Sequence, residues 1–236
     1  MATFLTARWQ NLIMANYRVN ASVLTPYLPA KTRLDFFNGH CYLSLVGFLF
    51  ADTRLRGIKI PFHVNFEEVN LRFYVRHQEE TADRRGVVFI KEIVPKPAIS
   101  LVANTLYREK YCTKKMRHTW KENGDTLAIA YQWKHAGVWN SLQALVAASP
   151  LAMNPGSEEE FIAEHYWGYS RYDARTSFEY EVQHPRWELL PVKEFAIQCD
   201  FGALYGDSFA FLQQEQPHSV FVAKGSEVAV LGKRKL

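Results

Sequence analysis

The chain has 236 residues and a mass of 27.3 kDa, with 48% hydrophobic and 22% charged residues. These proportions are typical of a globular protein and exclude a disordered or low-complexity chain. Aromatic residues reach 14%, which favours strands because aromatic side chains suit the half-buried surface of a sheet. The net charge of +4 is spread along the chain. Nucleic-acid binding requires a basic stripe, so no nucleic-acid partner is expected.

Cysteine usage and the apolar runs indicate the cellular setting. Cys41, Cys112 and Cys199 lie far apart and form no CxxC pair, so reduced thiols in the cytoplasm are expected. The N-terminal residues lack the pattern of a signal peptide. The longest nearly apolar run, 42–51, is shorter than the roughly 20 residues of a membrane helix, so no membrane partner is expected. No repeat or linker divides the chain, which predicts a single domain over 1–236.

The first elements in chain order are predicted to be a strand, a short helix and a hairpin. Residues 3–19 have strand character, and Asn20 is a candidate N-cap for a short helix that Pro29 ends. Asn38 and Gly39 stand between two apolar runs. This dipeptide is the strongest short-range signal of a hairpin turn.

The next predicted strand, over residues 66–76, has one apolar and one polar face. The polar face carries Glu68, Asn70, Arg72, Tyr74 and Arg76. If this face lines an interior, its arginines would clamp a ligand carboxylate and Glu68 would move protons. The alternative is a solvated strand face whose charges keep the protein soluble.

The strand predicted over residues 86–94 is apolar on both faces except at Lys91 and Glu92, which is typical of a strand covered on both sides. Alternation places Glu92 on the face of Val88, Ile90 and Val94. Burial there would raise the pKa of Glu92 and make it a general acid or base. Alternatively, both charged side chains lie near a strand end and reach water or a neighbour.

The remaining elements complete a mainly β prediction of ten to twelve strands and three or four short helices. A capping box at Ser157 and Glu160 predicts a helix that runs to Trp167, with Gly168 just beyond its end. The other predicted elements are a helix from Pro97 to about Tyr107, strands over 112–120 and 126–133, a strand or helix over 138–147, and strands over 177–231 with a helical turn near 201–205.

Seven segments carry a resemblance to a known family: Gly39–Val46, Phe66–Arg76, Arg85–Ile90, Ala103–Tyr107, Glu164–Tyr169, Val182–Trp187 and Pro217–Phe221. In this order they resemble the YqjF-like family of uncharacterised bacterial proteins (domain of unknown function 2071), which is itself similar to acetoacetate decarboxylase. The resemblance implies a β-barrel or cone of strands with flanking helices and an internal cavity. It implies no activity, because fold does not imply function.

The resemblance also implies a candidate nucleophile. Acetoacetate decarboxylase uses a lysine whose pKa is lowered by burial and an adjacent cation. Residues 108–116 resemble the segment that carries its lysine pair, so Lys115 or Lys114 would form the Schiff base. The glycine and proline expected before the pair are missing, and neighbouring strand residues point to opposite faces. The alternative is a solvated lysine pair.

Two further segments are rich in residues that combine a polar tip with an aromatic body. His165, Tyr166, His184 and Trp187 suit the wall of a binding pocket, and they suit helix-on-sheet packing equally well. No zinc motif, phosphate loop, Rossmann fingerprint or GxSxG elbow occurs in the sequence, so no metal and no cofactor are expected.

Three functional hypotheses follow. The first is that the protein binds a small organic acid or carbonyl compound inside the barrel, with Schiff-base lyase or decarboxylase chemistry as one option. Arg72 and Arg76 would then anchor the ligand, and Glu68 or Glu92 would transfer protons. The second is a non-catalytic protein that sequesters an apolar or aromatic ligand. The third is a structural or interaction module that forms a homodimer through a strand edge.

Overall fold

The fold is known from a computed structural model that describes residues 2–78 and 83–236. Within these residues the strands are β1 (Thr3–Val19), β2 (Arg33–Leu34), β3 (Cys41–Leu55), β4 (Phe66–Gln78), β5 (Asp83–Val94), β6 (Tyr111–Thr113), β7 (Met116–Asn123), β8 (Thr126–His135), β9 (Val138–Ala147), β10 (Leu151–Ala152), β11 (Trp167–Arg171), β12 (Ser177–Gln183), β13 (Glu188–Leu190), β14 (Val192–Gln198), β15 (Ser219–Leu231) and β16 (Arg234–Lys235). The helices are α1 (Ala21–Leu24), α2 (Pro97–Val102), α3 (Glu158–Ala163) and α4 (Phe201–Tyr205). The mainly β prediction is confirmed.

The larger sheet closes on itself. Its hydrogen-bonded order runs β15, β1, β3, β4, β5, β11 and β12, and β12 pairs back onto β15. Most neighbours are antiparallel, but β11 and the short β6 both pair with β5 in parallel. The two ladders that complete the ring are short, with two residue pairs between β5 and β11 and two between β12 and β15, and they shorten the row of unpaired backbone groups that an open sheet exposes.

A second sheet covers one outer side of the ring. Its four strands are ordered β14, β9, β8 and β7. Side chains from the outward face of β4, such as Leu71 and Phe73, pack with Tyr131 and Trp133 of β8 and with Phe201 of α4. Full burial of one such side chain stabilises the fold by about 1.5–3 kcal/mol. Both faces of β4 are therefore covered, one by this core and the other by the interior of the ring.

The two ends of the β3–β4 hairpin are built differently. Near the start of β3 and the end of β4, helix α3 closes the ring, because Phe161 packs on Tyr42 and Tyr74. At the other end of the hairpin, residues 56–65 connect β3 to β4, and α2 with its π-helical continuation Ala103–Tyr107 lies near the same opening. The interior is thus filled at one end and accessible at the other.

Local sequence signals place several boundaries correctly. The Asn20 side chain caps α1 by accepting a hydrogen bond from the Ser22 amide at 2.9 Å. Asn38 and Gly39 form a tight turn, with φ of 49° and 79°, between the bridged residues Phe37 and His40. These positive φ values are those of the primed turns that asparagine and glycine favour.

Two predicted elements differ from the structure. The strand expected over 112–120 is two strands, β6 and β7, because the chain crosses from the ring to the second sheet after Thr113. The helix expected to reach Trp167 ends at Ala163, because Trp167 starts β11 and pairs with Gly86 of β5. In the described part of the chain, no helix has the length and apolarity needed to cross a membrane.

Candidate functional site

The interior of the ring contains a cavity of about 380 Å³. Each of the seven ring strands contributes side chains to its lining, which places the cavity inside the ring. Most of the wall is aromatic or aliphatic, and a small set of polar and ionisable groups occupies one region of it. Apolar walls with a few converging polar groups are the common form of a small-molecule site.

The polar face of β4 supplies the first of these groups. Glu68, Asn70 and Arg72 all line the cavity and all are buried, so this part of the face is an interior surface. Alternation along β4 brings them together, because every second side chain points to the same side of the sheet. Tyr74 continues the same face and packs against Phe161 under α3.

Glu92 also lines the cavity, but strict alternation along β5 does not predict which residues share its face. The pairing of β4 with β5 shifts between Leu71 and Arg72, which pair with Lys91 and Phe89, so that Ile90 is a bulged residue. A bulge changes which residues share a face. Glu92 therefore lines the cavity with Val87 and Phe89, whereas the predicted companions Val88 and Ile90 pack in the outer core.

Three residues that the sequence did not single out complete the polar region. Glu109 and Tyr111 approach from the segment that leads into β6, and Tyr180 comes from β12. Tyr111 pairs with Glu92 in the parallel β5–β6 ladder. The spacing of two between Glu109 and Tyr111 is the one sequence signal that places both on a common face.

Hydrogen bonds join these groups in two sets, one around Glu68 and one around Glu109. Glu68 accepts from the Asn70 amide at 2.9 Å and from the Tyr111 hydroxyl at 3.1 Å. Glu109 accepts from the Tyr180 hydroxyl at 3.0 Å. The Asn104 side chain also holds Tyr111 in place, since it accepts from the Tyr111 amide at 2.7 Å and donates to its carbonyl at 2.9 Å.

Burial raises the pKa values of the three carboxyl groups, so that they stay protonated at pH values at which an exposed glutamate is ionised. Burial raises the pKa of Glu68 to about 7, against the opposing effects of Asn70, Tyr111 and the Arg72 charge. It raises the pKa of Glu109 to about 8. Burial, together with the negative charges of Glu109 and Glu68, raises the pKa of Glu92 well above its usual value. The cavity thus holds acids that titrate near or above neutrality, which is the range useful for proton transfer.

Arg72 is the positive charge of the site, and it lacks a carboxylate partner. It is 7% exposed, its Nη2 lies 3.8 Å from the Met14 sulfur and its Nε has no hydrogen-bond partner. No carboxylate in the described residues forms an ion pair with it. Asn70 Oδ1 and Glu92 Oε2 are also buried without partners. Buried polar atoms are normally paired, so these atoms indicate the place where a ligand would bind.

The aromatic and histidine candidates divide between the cavity and its surroundings. His165, His184 and Trp187 line the cavity, and the ring of His184 stacks on Trp187 at 4.1 Å. Burial lowers the pKa of His165 to about 4, although its contact with Asp35 opposes this, so its ring is neutral. Tyr166 is not part of the lining; it stacks on His184 and donates its hydroxyl hydrogen bond to Glu164.

Arg76 does not join the cavity group, in contrast to the prediction from alternation. Its Nε lies 2.6 Å from Asp35 Oδ1, and its Nη1 lies 2.5 Å from Asp83 Oδ2. Arg85 Nε lies 2.7 Å from the other Asp35 oxygen. These charges draw Arg76 to the periphery of the ring. Burial alone would raise the pKa of the Asp35 carboxyl, but its contacts with His165 and with the two arginines lower that pKa below its usual range.

Lys114 and Lys115 also lie outside the cavity. They connect β6 to β7 at the point where the chain leaves the ring, and Lys115 is exposed. The segment that resembles the lysine-bearing region does reach the cavity, but it does so through Glu109 and Tyr111. Among the described residues, no lysine lines the cavity, and no group of three or more His, Cys, Asp or Glu side chains is arranged to hold a metal ion.

Gly168 allows one of the tyrosines to reach the site. It lies in β11 opposite Tyr180 of β12, and a Cβ atom at this position would collide with the Tyr180 ring. The absence of a side chain lets the ring lie across β11 with its hydroxyl on Glu109. The predicted role of Gly168 as a helix end is wrong, and a close approach between two strands explains the glycine.

Comparison with known proteins identifies the family. The profile of DUF2071, a family described as an uncharacterised conserved protein, matches residues 6–227. The chain belongs to the DUF2071 family. A relative, the uncharacterised protein YqjF of Bacillus subtilis strain 168, is 24% identical over 184 residues, which cover 77% of this chain and 73% of that protein.

Solved structures with the same fold include acetoacetate decarboxylase and an enzyme of enduracididine biosynthesis. An acetoacetate decarboxylase-like enzyme from Sphingomonas wittichii RW1 superposes with a TM-score of 0.67 at 11% identity, covering 100% of this chain and 94% of that chain. The enduracididine biosynthesis enzyme MppR, complexed with pyruvate, gives a TM-score of 0.68 at 10% identity, covering 100% and 91%. At this level of identity the likeness establishes the fold, and it confirms the fold that the sequence resemblance implied.

Proposed function

We propose that this DUF2071 protein binds a small organic acid or carbonyl compound in the cavity, with the ligand carboxylate on Arg72. The unpaired, buried guanidinium of Arg72 carries this proposal. A guanidinium binds a carboxylate through two parallel hydrogen bonds. While the neighbouring glutamates are protonated, they do not compete for the cation, and a ligand anion can neutralise it.

The glutamates supply a further chemical capability. Groups whose pKa values differ allow one carboxyl to act as an acid while another acts as a base. An ionised glutamate would remove a proton from the carbon next to a ligand carbonyl, and a protonated one would give its proton to the carbonyl oxygen, forming an enol. The reverse transfers restore the ligand. This chemistry uses Glu68, Glu92 and Glu109 and requires no Schiff base.

Substitution of Arg72 by methionine tests the binding proposal. We expect R72M to weaken the binding of pyruvate and acetoacetate by on the order of 100-fold, because the charge partner of the carboxylate is lost. We also expect the ligand-free variant to melt at the same temperature or higher, because a buried unpaired charge has been removed. Calorimetric titration at pH 6, where Glu68 and Glu109 are protonated, measures the affinity, and a thermal melt measures the stability.

Arg117 provides a matched control. It is an exposed arginine on β7 that hydrogen-bonds Gln132 and does not line the cavity. R117M should bind the same acids as the parent does. Equal affinity in R72M and the parent would show that the acid does not bind at Arg72.

A second experiment separates the glutamate chemistry from a Schiff base. In D₂O, we expect the protein to exchange the α-hydrogens of 2-oxobutanoate for deuterium, as followed by NMR. We expect borohydride reduction of the same mixture to leave the protein mass unchanged, because no lysine among the described residues lines the cavity. A mass increase mapped to Lys114 or Lys115 would instead support the lysine mechanism. If the acid binds but neither hydrogen exchange nor a covalent adduct is detected, the protein binds the ligand without catalysing either reaction.

A further inference from the structure

The polar and apolar parts of the cavity lie side by side, and Phe48 of the apolar part is opposite Glu68 in the β3–β4 ladder. The polar side chains on β4 and β5 are buried. A second region is aromatic: the Trp9 ring lies 5.1 Å from Phe48, and the Phe50 and Phe66 rings stack at 4.6 Å. Such rings favour an apolar ligand surface. The one polar group among these four rings is the indole N–H of Trp9, which is buried without a hydrogen-bond partner. The lining is therefore that of a site for an amphipathic molecule.

The size of the cavity exceeds what a short acid needs. Its volume is about 380 Å³, which equals the liquid volume of about a dozen water molecules. Drug-sized ligands occupy pockets that begin at about 300 Å³. A short keto acid such as pyruvate would fill only the polar region, and the aromatic walls would remain uncovered.

Two apolar side chains lie at the mouth of the cavity, where His63 of the β3–β4 connection also contributes to the lining. Ile60, in the connection between β3 and β4, is 40% exposed, and Val102, at the end of α2, is 39% exposed. Both line the cavity. These side chains therefore extend the apolar wall outward from the buried polar groups to the surface. From the interior to the surface, the lining thus changes from polar and charged side chains to aliphatic ones.

We infer that the acid bound at this site is a molecule of about a dozen non-hydrogen atoms in all, with an extended apolar body, an alkyl chain or aromatic group, which runs from Arg72 along the aromatic wall toward Ile60 and Val102. This inference rests on the proposed binding of an acid at Arg72. It specifies the class of ligand as an amphipathic organic acid.

A series of 2-oxo acids of increasing chain length tests the inference. The full chain is titrated at pH 6 with 2-oxobutanoate, 2-oxohexanoate, 2-oxooctanoate and 2-oxodecanoate. Each buried methylene should tighten binding about fourfold until the chain reaches the mouth. Affinity that stays constant or falls along the series would overturn the inference while leaving the binding of a short acid at Arg72 intact.

Substitutions at the mouth locate the apolar body. I60S and V102S should weaken the binding of 2-oxodecanoate by about threefold to tenfold and leave that of 2-oxobutanoate unchanged. Phe62 and Leu101 are 87% and 68% exposed and do not line the cavity, so F62S and L101S are matched controls that should bind both acids as the parent does. Equal losses in the mouth variants and their controls would overturn the inference.

A ligand without an acid group distinguishes the two proposals. If 1-decanol binds as tightly as 2-oxodecanoate, and R72M does not change either affinity, the acid site is refuted and the apolar subsite stands. If no member of the series binds, both proposals fail. The inference is supported by a length-dependent affinity that is lost in both R72M and the mouth variants.

Discussion

Replacement of Glu109 by glutamine is expected to make the protein more stable at alkaline pH and to leave its stability unchanged at pH 4. In the unfolded chain this carboxyl ionises near its ordinary value of 4.5, whereas in the folded protein burial raises its pKa to about 8. The folded state therefore binds the proton more tightly, and its stability falls as pH rises from about 4.5 to about 8. A glutamine has no proton to lose and avoids this loss.

The expected gain at pH 9 is on the order of 4 kcal/mol, since each unit of difference between folded and unfolded pKa corresponds to 1.36 kcal/mol. For a chain of this length such a gain raises the melting temperature by roughly 10 °C. The glutamine oxygen can still accept the hydrogen bond that Tyr180 donates. The measurement is urea unfolding of E109Q and the parent at pH 4 and pH 9.

Glu122 offers a control for the same chemical change. It is exposed on β7, and E122Q should follow the pH dependence of the parent. A stability difference for E109Q that is the same at pH 4 and pH 9 would mean that the fold does not keep Glu109 protonated, and that this cavity acid does not titrate near or above neutrality.

How far the sequence predicts this site depends on whether the relevant signal is local. The burial of Glu68, Asn70 and Arg72 on one face follows from alternation along a single strand, because strand period is a local property. Alternation gave the wrong companions for Glu92, because the bulge at Ile90 depends on the pairing of β5 with β4. The number of residues opposite one another in a ladder cannot be obtained from one strand.

Long-range pairing explains the other differences. Arg76 continues the polar face of β4, but Asp35, 41 residues earlier in the chain, draws it away from the cavity. The closure of the ring by β12 and β15 joins strands that have no signal of pairing in their own sequences. Glu109 and Tyr111 precede the lysine pair that the family resemblance indicated as the nucleophile. The chain leaves the ring before it reaches those lysines.

The position of Asp35 suggests how the fold keeps the polar region of the cavity in place. Its carboxylate is buried and lies between Arg76 of β4 and Arg85 of β5. Arg85 also donates to the Phe161 carbonyl at 3.3 Å and lies over the Phe161 ring at 4.5 Å. His165 Nε2 is 3.7 Å from Asp35. One carboxylate therefore connects two ring strands, the helix that closes the ring and a residue of the cavity wall.

Substitution of Asp35 by asparagine is expected to destabilise the protein by about 3 kcal/mol, because it removes the buried charge that balances Arg76 and Arg85. This is the lower end of the range for a broken buried ion pair, since the two arginine side chains are 34% and 28% exposed. Asp83 provides the matched control. It pairs with the same Arg76 at 2.5 Å, but its side chain is partly exposed, so D83N should cost less than about 1 kcal/mol. Urea unfolding at pH 7 compares the two variants.

The same substitution should loosen the closed end of the ring. Since Arg85 connects Asp35 to Phe161, the α3 amides of D35N should exchange hydrogen with solvent faster than those of D83N. Equal losses of stability in the two variants would show that Asp35 is an ordinary member of a surface ion-pair network. A large loss in D35N, with faster exchange confined to α3 and the neighbouring strand ends, would show that the ion pair at Asp35 holds the helix over the ring.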